Sequence, residues 1–280
     1  MTFKLDLSAG LYNNGAMNSD KQLIVISDLD GTLLDHYSYQ FDAAQPALAL
    51  LADHQIPLIL NSSKTAAEII AIRTTLHNHQ PFIAENGGGI YLPEGTDYRL
   101  VPMGKPRQDF LPLLAKLRQE MNLSFTGFSD MTIAQLQACT GLSEQECGRA
   151  RQRDFTEPLL WEDSETALQQ FTEALSQHEL QVVRGGRFVH VSGRTDKGKA
   201  IQWLRNYFQE QLEQSVEIIA LGDSDNDLQM LAMAEHPFMI RSPVHSPPAS
   251  EIEQLKVSQR FGPAGWNECI CNFFEEHRMI

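Results

Sequence analysis

The sequence has little that would suit a membrane, a disulfide scaffold or a secreted protein. No apolar run in its 280 residues approaches the roughly 20 residues that a membrane-spanning helix needs. Residues 1–20 lack the continuous apolar region of a secretion signal, so we expect a cytoplasmic protein without membrane contact. The 4 cysteines form neither a C-x-x-C pair nor a zinc-ligand spacing, which favours reduced thiols.

Positive charge is also scarce. The chain has 22 Lys and Arg residues against 36 Asp and Glu residues, which gives a net charge of -14. Because binding to a phosphate backbone depends on clustered positive charge, this balance argues against a nucleic-acid partner. No Gly-x-Gly-x-x-Gly sequence follows the first predicted strand, which disfavours a dinucleotide-dependent oxidoreductase. A hydrophobic content of 42% can fill a sizeable core in one or two domains.

Two carboxylates stand at the end of the first predicted strand, at 23–27. Asp28 and Asp30 follow this apolar run and lead into a Gly-Thr turn. Side chains at positions i and i+2 of a strand point the same way, so both acids face one cavity and repel each other unless a cation neutralises them. The alternative is a simple turn, since Asp and Gly favour turns. The pattern favours a hard divalent ion, Mg²⁺.

A second acidic cluster follows another predicted strand, at 216–221, with the sequence GDSDND at 222–227. Mg²⁺ usually takes one or two carboxylates together with water and substrate phosphate. Asp28 and Asp223 with the Asp30 carbonyl could therefore form a magnesium site, with Asp227 as a further ligand or a support. The alternative is a calcium loop. It fails because Leu228 occupies the required glycine position and no suitably placed Glu completes the pattern.

The order of predicted elements indicates an α/β fold. Predicted strands at 23–27, 57–61 and 82–84 alternate with predicted helices at 43–54 and 65–77, which is typical of a parallel sheet covered on both faces. Catalytic groups at the carboxyl ends of strands fit that architecture. After the sequence ENGGG at 85–89 the alternation stops. We therefore predict a loose N-terminal extension, a Rossmann-like parallel-sheet core in two segments and an inserted α+β cap, at 1–20, 21–103 with 191–280, and 104–190.

Four segments resemble, in order and spacing, the motifs of the haloacid dehalogenase superfamily of phosphohydrolases. They are the sequence DLDGT at 28–32, Ser62 after the second predicted strand, Lys197 in the sequence DKGK at 196–199, and the acidic run at 222–227. The resemblance implies a Mg²⁺-dependent phosphatase that works through an aspartyl phosphate. It also implies a core of the haloacid dehalogenase type.

The resemblance assigns each motif residue a role. Asp28 is the nucleophile, and Asp30 protonates the leaving alkoxide and then accepts a proton from the attacking water. Ser62 donates a hydrogen bond to a phosphoryl oxygen, while Lys197 and Mg²⁺ balance the charge of the transition state. The implied metal ligands are Asp28, Asp30, Asp223 and Asp227.

Two of these residues have other interpretations. The sequence around Lys197 nearly matches the phosphate-binding loop of nucleotide hydrolases, but Ala200 stands where that loop needs a Ser or Thr to hold Mg²⁺. A nucleotide hydrolase is therefore disfavoured. Ser62 follows a predicted strand and precedes a predicted helix, so the alternative role for it is a helix cap.

An insertion between the second and third motifs resembles the subgroup that acts on sugar phosphates. Within that subgroup the sequence is similar to the mannosyl-3-phosphoglycerate phosphatase family, through the segments NSSKT (61–65), ENG (85–87), RDFTEP (153–158), GGRF (185–188), DKGKA (196–200) and GPAGW (262–266). The implied partner is a small phosphorylated sugar-glycerate, which carries a phosphate, a carboxylate and a hexose.

This substrate would need cationic groups and hydroxyl-binding acceptors. Arg153 and Arg187 suit its carboxylate or phosphate because guanidinium binds such groups bidentately, and Glu157 suits sugar hydroxyls. Lys64 could reach the phosphate or the glycerate, and Gly186 permits close approach. The alternatives are an exposed helix arginine for Arg153, a hairpin charge for Arg187 and an ordinary loop acid for Glu157.

The function that this resemblance implies is hydrolysis of mannosyl-3-phosphoglycerate to mannosylglycerate and phosphate. The alternatives are a phosphatase for glucosyl-3-phosphoglycerate or sucrose phosphate, a sugar phosphomutase, and a noncatalytic sugar-phosphate sensor. A sensor predicts erosion of the catalytic motifs, yet Asp28, Asp30, Lys197 and Asp223 are all present. The sequence predicts no particular oligomeric state.

Overall fold

The computed structural model describes residues 21–185, 187–195 and 197–279. The predicted N-terminal extension lies outside the described residues, as does Gly186. The described residues form two compact units. The first unit consists of two segments, one that ends at Asn61 and one that begins at Lys197. The second unit begins at Ser62 and ends before Lys197.

The strands and helices alternate through much of the chain. In chain order the strands are β1 (Lys21–Ser27), β2 (Leu58–Asn61), β3 (Phe82–Ala84), β4 (Gly89–Glu94), β5 (Asp97–Pro102), β6 (Phe125–Gly127), β7 (Thr156–Trp161), β8 (Leu180–Arg184), β9 (Val189–Gly193), β10 (Ser215–Gly222), β11 (His236–Arg241) and β12 (Lys256–Phe261). The helices are α1 (Gln45–Asp53), α2 (Ala66–Thr75), α3 (Arg107–Glu120), α4 (Ile133–Thr140), α5 (Glu144–Ala150), α6 (Glu165–Ser176), α7 (Lys197–Leu212), α8 (Leu228–Leu231) and α9 (Gly262–Glu276). Among the described residues, no helix is long and apolar enough to cross a membrane.

The first unit contains a parallel sheet in the order β12-β11-β10-β1-β2. In β1 every residue after Lys21 is buried, and the strand has a parallel neighbour on each side and a continuous apolar run at 23–26. A continuous apolar run is what a strand covered on both faces requires. The α/β prediction with a Rossmann-like core is confirmed, and the predicted strands at 23–27 and 57–61 correspond to β1 and β2.

The last helix closes the core of the first unit. Trp266 on α9 is fully buried, and its indole N–H donates a hydrogen bond of 3.0 Å to the hydroxyl of Ser27 at the end of β1. The side-chain oxygen of Asn267 accepts a 2.9 Å hydrogen bond from the backbone N–H of Ala47 in α1. The first contact ties α9 to the strand end that precedes Asp28, and the second ties it to α1.

The second unit contains two antiparallel arrangements. One is the meander β3-β4-β5, and the other is a sheet in the order β6-β7-β9-β8. Side chains from α3, α6 and the second sheet form an apolar core that includes Phe110, Phe125, Phe171 and Val191. The predicted cap at 104–190 takes in α3 to α6, and its boundaries stay a prediction.

Candidate active site

Four charged side chains meet at the carboxyl edge of the parallel sheet in the first unit. Asp28 follows β1, Asp223 follows β10, Asp227 lies in the short 3-10 helix Asp225–Asp227 and Lys197 begins α7. The Lys197 ammonium donates hydrogen bonds of 2.7 Å to Asp28 Oδ1 and 2.6 Å to Asp227 Oδ1. Carboxylate oxygens of Asp28, Asp223 and Asp227 lie within 4.8 Å of one another. The structure therefore brings four of the predicted site residues together.

The pairing of β1 with β10 explains why the two acidic motifs meet. Ser27 lies opposite Leu221 in the parallel register, and the backbone N–H of Asp28 donates a 2.9 Å hydrogen bond to the Leu221 carbonyl. The residues that follow both strands therefore emerge at the same edge. The sequence motif and the sheet register place Asp28 beside Asp223.

Asp227 holds the acidic loop closed. Its Oδ2 accepts hydrogen bonds of 3.0 Å and 3.1 Å from the backbone N–H groups of Asp223 and Ser224. Its Oδ1 accepts the bond from Lys197. A Cβ on Gly222 would lie 2.4 Å from the Asp227 Cβ, so only glycine fits there. Both oxygens of Asp227 thus have protein donors, which suits a support better than a metal ligand.

Glycine is also required at the turn after Asp30. Gly31 has φ of +78°, and a Cβ there would lie 2.6 Å from Asp223 Oδ2. The neighbouring Thr32 hydroxyl donates a 3.4 Å hydrogen bond to Asp223 Oδ1. The role of Thr32 was missed from the sequence, although the motif DLDGT contains the signal. Asp30 is half-buried in this turn.

The buried cluster carries more negative than positive charge. Burial raises the pKa of Asp28 well above its ordinary value, with Lys197 opposing and Asp227 and Asp223 adding to the rise. Burial and then the repulsion from Asp227 raise the pKa of Asp223 to about 6. Burial lowers the pKa of Lys197, but the carboxylates of Asp227 and Asp28 outweigh it and raise that pKa above the ordinary value.

This donor set fits a hard divalent cation. Carboxylate oxygens are the ligands that Mg²⁺ takes in proteins, and an added cation would relieve the mutual repulsion that raises the pKa of Asp223. The residues that could hold the ion are Asp28 and Asp223, since Asp227 is engaged with Lys197 and the backbone. The predicted metal roles of Asp30 and Asp227 stay predictions.

A sequence model of the haloacid dehalogenase-like hydrolases matches residues 25–244. The chain belongs to the haloacid dehalogenase-like hydrolases. The family predicted from the four motifs is thus confirmed.

Two relatives of this hydrolase are named glucosyl-3-phosphoglycerate/mannosyl-3-phosphoglycerate phosphatase. The protein of Methanococcoides burtonii is 35% identical over 270 residues, which cover 92% of this chain and 99% of the relative. The protein of Persephonella marina is 30% identical over 266 residues, which cover 91% and 98%. The family and these names support a phosphatase.

Solved structures of haloacid dehalogenase enzymes share the fold. A phosphatase of this superfamily from Bacteroides thetaiotaomicron aligns with a TM-score of 0.66 at 20% identity, over 97% of this chain and 100% of its own. The sucrose-phosphatase of Synechocystis aligns with a TM-score of 0.57 at 19% identity, over 90% of this chain and 98% of its own. At these identities the likeness concerns the fold alone.

The remaining predicted residues of this hydrolase belong to the second unit. Ser62 is buried, and its hydroxyl accepts a 3.3 Å hydrogen bond from the backbone N–H of Lys64. The cap of α2 is Thr65, which forms a capping box with Glu68, so the helix-cap alternative for Ser62 is wrong. Lys64 is half-buried. The phosphate-binding roles of Ser62 and Lys64 stay predictions.

Arg153 is well buried, with 8% of its side chain exposed. Its guanidinium donates hydrogen bonds of 2.7 Å to the Thr156 hydroxyl and 3.1 Å to the Ala150 carbonyl. The exposed-helix alternative is therefore wrong. Arg187 is exposed and donates to the carbonyls of Cys139 and Thr140, at 3.0 Å and 3.2 Å, where α4 ends. The substrate roles of both arginines stay predictions.

Glu157 lies in β7 and is fully buried, so it is not the loop acid of the alternative interpretation. Its Oε2 accepts a 2.8 Å hydrogen bond from the Arg107 guanidinium. Its Oε1 accepts bonds of 2.8 Å and 2.7 Å from the backbone N–H and the hydroxyl of Ser129. Arg107 and Ser129 were missed from the sequence, where nothing marks them. The sugar-binding role of Glu157 stays a prediction.

A further buried carboxylate holds the segment that carries Arg153. Glu85, at φ of +53°, accepts hydrogen bonds of 2.7 Å, 3.2 Å and 2.8 Å from the backbone N–H groups of Asp154, Phe155 and Thr156. It also accepts a 2.6 Å bond from the Thr156 hydroxyl. The sequence signal was the ENG segment at 85–87.

The raised pKa of Asp223 predicts a pH-dependent stability. Its pKa is 3.8 ordinarily and about 6 in the folded protein. The folded state therefore holds the proton more tightly between these values, and the free energy of unfolding falls as the pH rises through that window. Asp223→Asn should match the wild type near pH 4 and be more stable by up to about 3 kcal/mol at pH 7.5. The measurement is urea unfolding in the presence of a chelator.

The exposed Asp53→Asn is the control for this experiment, and its pH dependence should follow that of the wild type. A difference between Asp223→Asn and the wild type that is the same at pH 4 and pH 7.5 would contradict the prediction.

The contacts of Glu85 predict local protection of the backbone that it binds. In Glu85→Gln, an NH₂ group replaces one of the two carboxylate oxygens. The backbone N–H groups at 154–156 that donate to this oxygen then lose their acceptor. Hydrogen exchange of the amides at 154–156 should become at least about tenfold faster, as measured by mass spectrometry. The exposed Glu94→Gln in the same unit is the control. Unchanged exchange in Glu85→Gln would show that these bonds do not hold the segment.

Proposed function

We propose that this chain is a Mg²⁺-dependent phosphatase that hydrolyses mannosyl-3-phosphoglycerate to mannosylglycerate and phosphate. The observation that carries the proposal is the buried Lys197 ammonium, which holds Asp28 beside Asp223 at the end of two paired strands. The names of the two relatives, which match nearly the whole chain, support a phosphoglycerate ester of mannose or glucose as the substrate.

Asp28 is the proposed nucleophile. Lys197 donates a hydrogen bond to Oδ1 of this carboxylate, so the ammonium fixes its orientation while the other oxygen is the proposed attacking atom. A bond forms between that oxygen and phosphorus, and the ester bond from phosphorus to the sugar-glycerate oxygen breaks. When bound, Mg²⁺ would neutralise negative charge on the phosphoryl oxygens.

Asp30 is the proposed acid and base. It gives its proton to the leaving alkoxide, which departs as the free hydroxyl of mannosylglycerate. The resulting Asp30 carboxylate then accepts a proton from water as that water attacks the phosphorus of the aspartyl phosphate. The bond between phosphorus and Asp28 breaks, phosphate leaves, and both aspartates return to their initial states.

Lys197 supplies permanent positive charge next to the reacting carboxylate. Its raised pKa keeps the ammonium protonated across the neutral range. Its second hydrogen bond, to Asp227, holds the ammonium in place when the charge of Asp28 changes. Substrate contacts are proposed for the residues of the second unit. Those residues are Ser62, Lys64, Arg153, Glu157 and Arg187, with Gly186 outside the described part of the chain.

The substrate proposal is tested by phosphate release. With Mg²⁺ present, kcat/KM for mannosyl-3-phosphoglycerate should exceed that for sucrose 6-phosphate and simple hexose phosphates by at least about 100-fold, since unmatched polar groups in a site are costly. Glucosyl-3-phosphoglycerate is the closest competitor in chemistry. A preference for the glucosyl ester would keep the phosphatase and reject the mannosyl assignment. Transfer of phosphate to another sugar, without release, would support a phosphomutase.

The covalent mechanism is tested by Asp28→Asn. Because the amide is a poor nucleophile, kcat should fall by at least about 10⁴-fold, while circular dichroism and thermal unfolding should show a folded protein. The exposed Asp53→Asn is the matched control and should retain the wild-type rate. Substantial turnover by Asp28→Asn would rule out an aspartyl phosphate at this position.

A further inference from the structure

A histidine that belongs to none of the motifs reaches the acidic cluster. His245 lies in the loop between β11 and β12 of the first unit, and its Nε2 is 3.4 Å from Asp223 Oδ2. Its side chain is 39% exposed, whereas that of Asp223 is 6% exposed. The imidazole therefore borders the buried carboxylates from the solvent side.

The other ring nitrogen shows which tautomer this contact involves. Nδ1 of His245 is 3.2 Å from the backbone carbonyl oxygen of Ser246. A carbonyl oxygen can only accept, so Nδ1 carries a proton and donates it. In a neutral imidazole this leaves a lone pair on Nε2. That lone pair then faces a carboxylate oxygen, which is also an acceptor.

A cation bound to both His245 Nε2 and Asp223 Oδ2 would explain why these two acceptors lie 3.4 Å apart. A metal-bound histidine typically donates its other ring N–H to a carbonyl or carboxylate, which fixes the ring and its tautomer. Ligand atoms with bonds of about 2.1 Å at right angles lie about 3 Å apart, close to the 3.4 Å between Nε2 and Asp223 Oδ2.

We infer that His245 is a ligand of the divalent cation that Asp28 and Asp223 hold. The inference rests on the proposed function, in which this acidic cluster binds a metal ion. It adds a nitrogen donor to a site that otherwise offers carboxylate and carbonyl oxygen.

A nitrogen ligand changes which ion the site prefers. Mg²⁺ takes oxygen ligands, whereas imidazole suits first-row transition ions. His245 therefore raises the affinity for ions such as Mn²⁺ or Fe²⁺ more than the affinity for Mg²⁺. Because the imidazole is partly exposed, water can take its place when it is absent. The same carboxylates therefore still bind Mg²⁺, which prefers oxygen ligands.

The experiment uses Mn²⁺ alone as a paramagnetic probe. The full-length wild type loaded with Mn²⁺ should show nitrogen modulation from a coordinated imidazole in electron spin echo spectra. Incorporation of ¹⁵N-histidine should change that modulation, which tests the ligand without any substitution. In His245→Asn the modulation should disappear. The dissociation constant for Mn²⁺ should rise by at least about tenfold, and that for Mg²⁺, measured by competition, by less than about threefold.

The exposed His178→Asn of the second unit is the matched control and should keep both the modulation and the Mn²⁺ affinity of the wild type. Mn²⁺ that binds without nitrogen modulation, or with modulation that persists in His245→Asn, would overturn the inference and leave the proposed phosphatase intact. It would assign the contact to an ion pair between a doubly protonated imidazole and Asp223. If the wild type bound no Mn²⁺, or if Asp223→Asn bound Mn²⁺ as tightly as the wild type, the cation site itself would be overturned.

Discussion

The ion pairs of Lys197 are the interaction on which the acidic edge of the first unit depends. Two buried carboxylates, of Asp28 and Asp227, face one buried ammonium. A buried charge without a partner costs several kcal/mol, so loss of the Lys197 ammonium would leave both carboxylates without their counterion. Asp227 also accepts hydrogen bonds from backbone N–H groups of the loop at 222–227. One hydrogen-bond network therefore fixes the position of the loop, the orientation of Asp28 and the charge balance of the cluster.

The strands, helices and site residues that could be predicted from the sequence are those marked by a local pattern of apolar, acidic or capping residues. Apolar runs marked β1 and β10, and the acids that follow them marked the shared edge. Strand β3 has its predicted bounds, 82–84, and the helix predicted at 65–77 is α2, whose capping box begins at Thr65. These segments are short and strongly apolar or carry a cap, so their own residues determine them.

The parts that could not be predicted depend on partners distant in sequence. Glu157 pairs with Arg107, 50 positions earlier, and Glu85 binds the backbone near Thr156, about 70 positions later. Arg107 belongs to no motif, and the RDFTEP segment that contains Thr156 gives no sign of a contact with Glu85. His245 lies in a loop without a motif, and its proximity to Asp223 becomes apparent only from the geometry. A burial preference alone would have placed both glutamates on the surface.

The pairing of β1 with β10 also has a consequence during synthesis. Lys21 lies opposite Ser215 in the register, so the central strand emerges from the ribosome long before this neighbour exists. At about 5–20 residues per second, roughly 10–40 s pass between the two. Throughout that interval one hydrogen-bonding edge of β1, which is apolar at 23–26, has no native partner. An unpaired strand edge is a template for aggregation, so the nascent first unit needs protection until β10 has been synthesised.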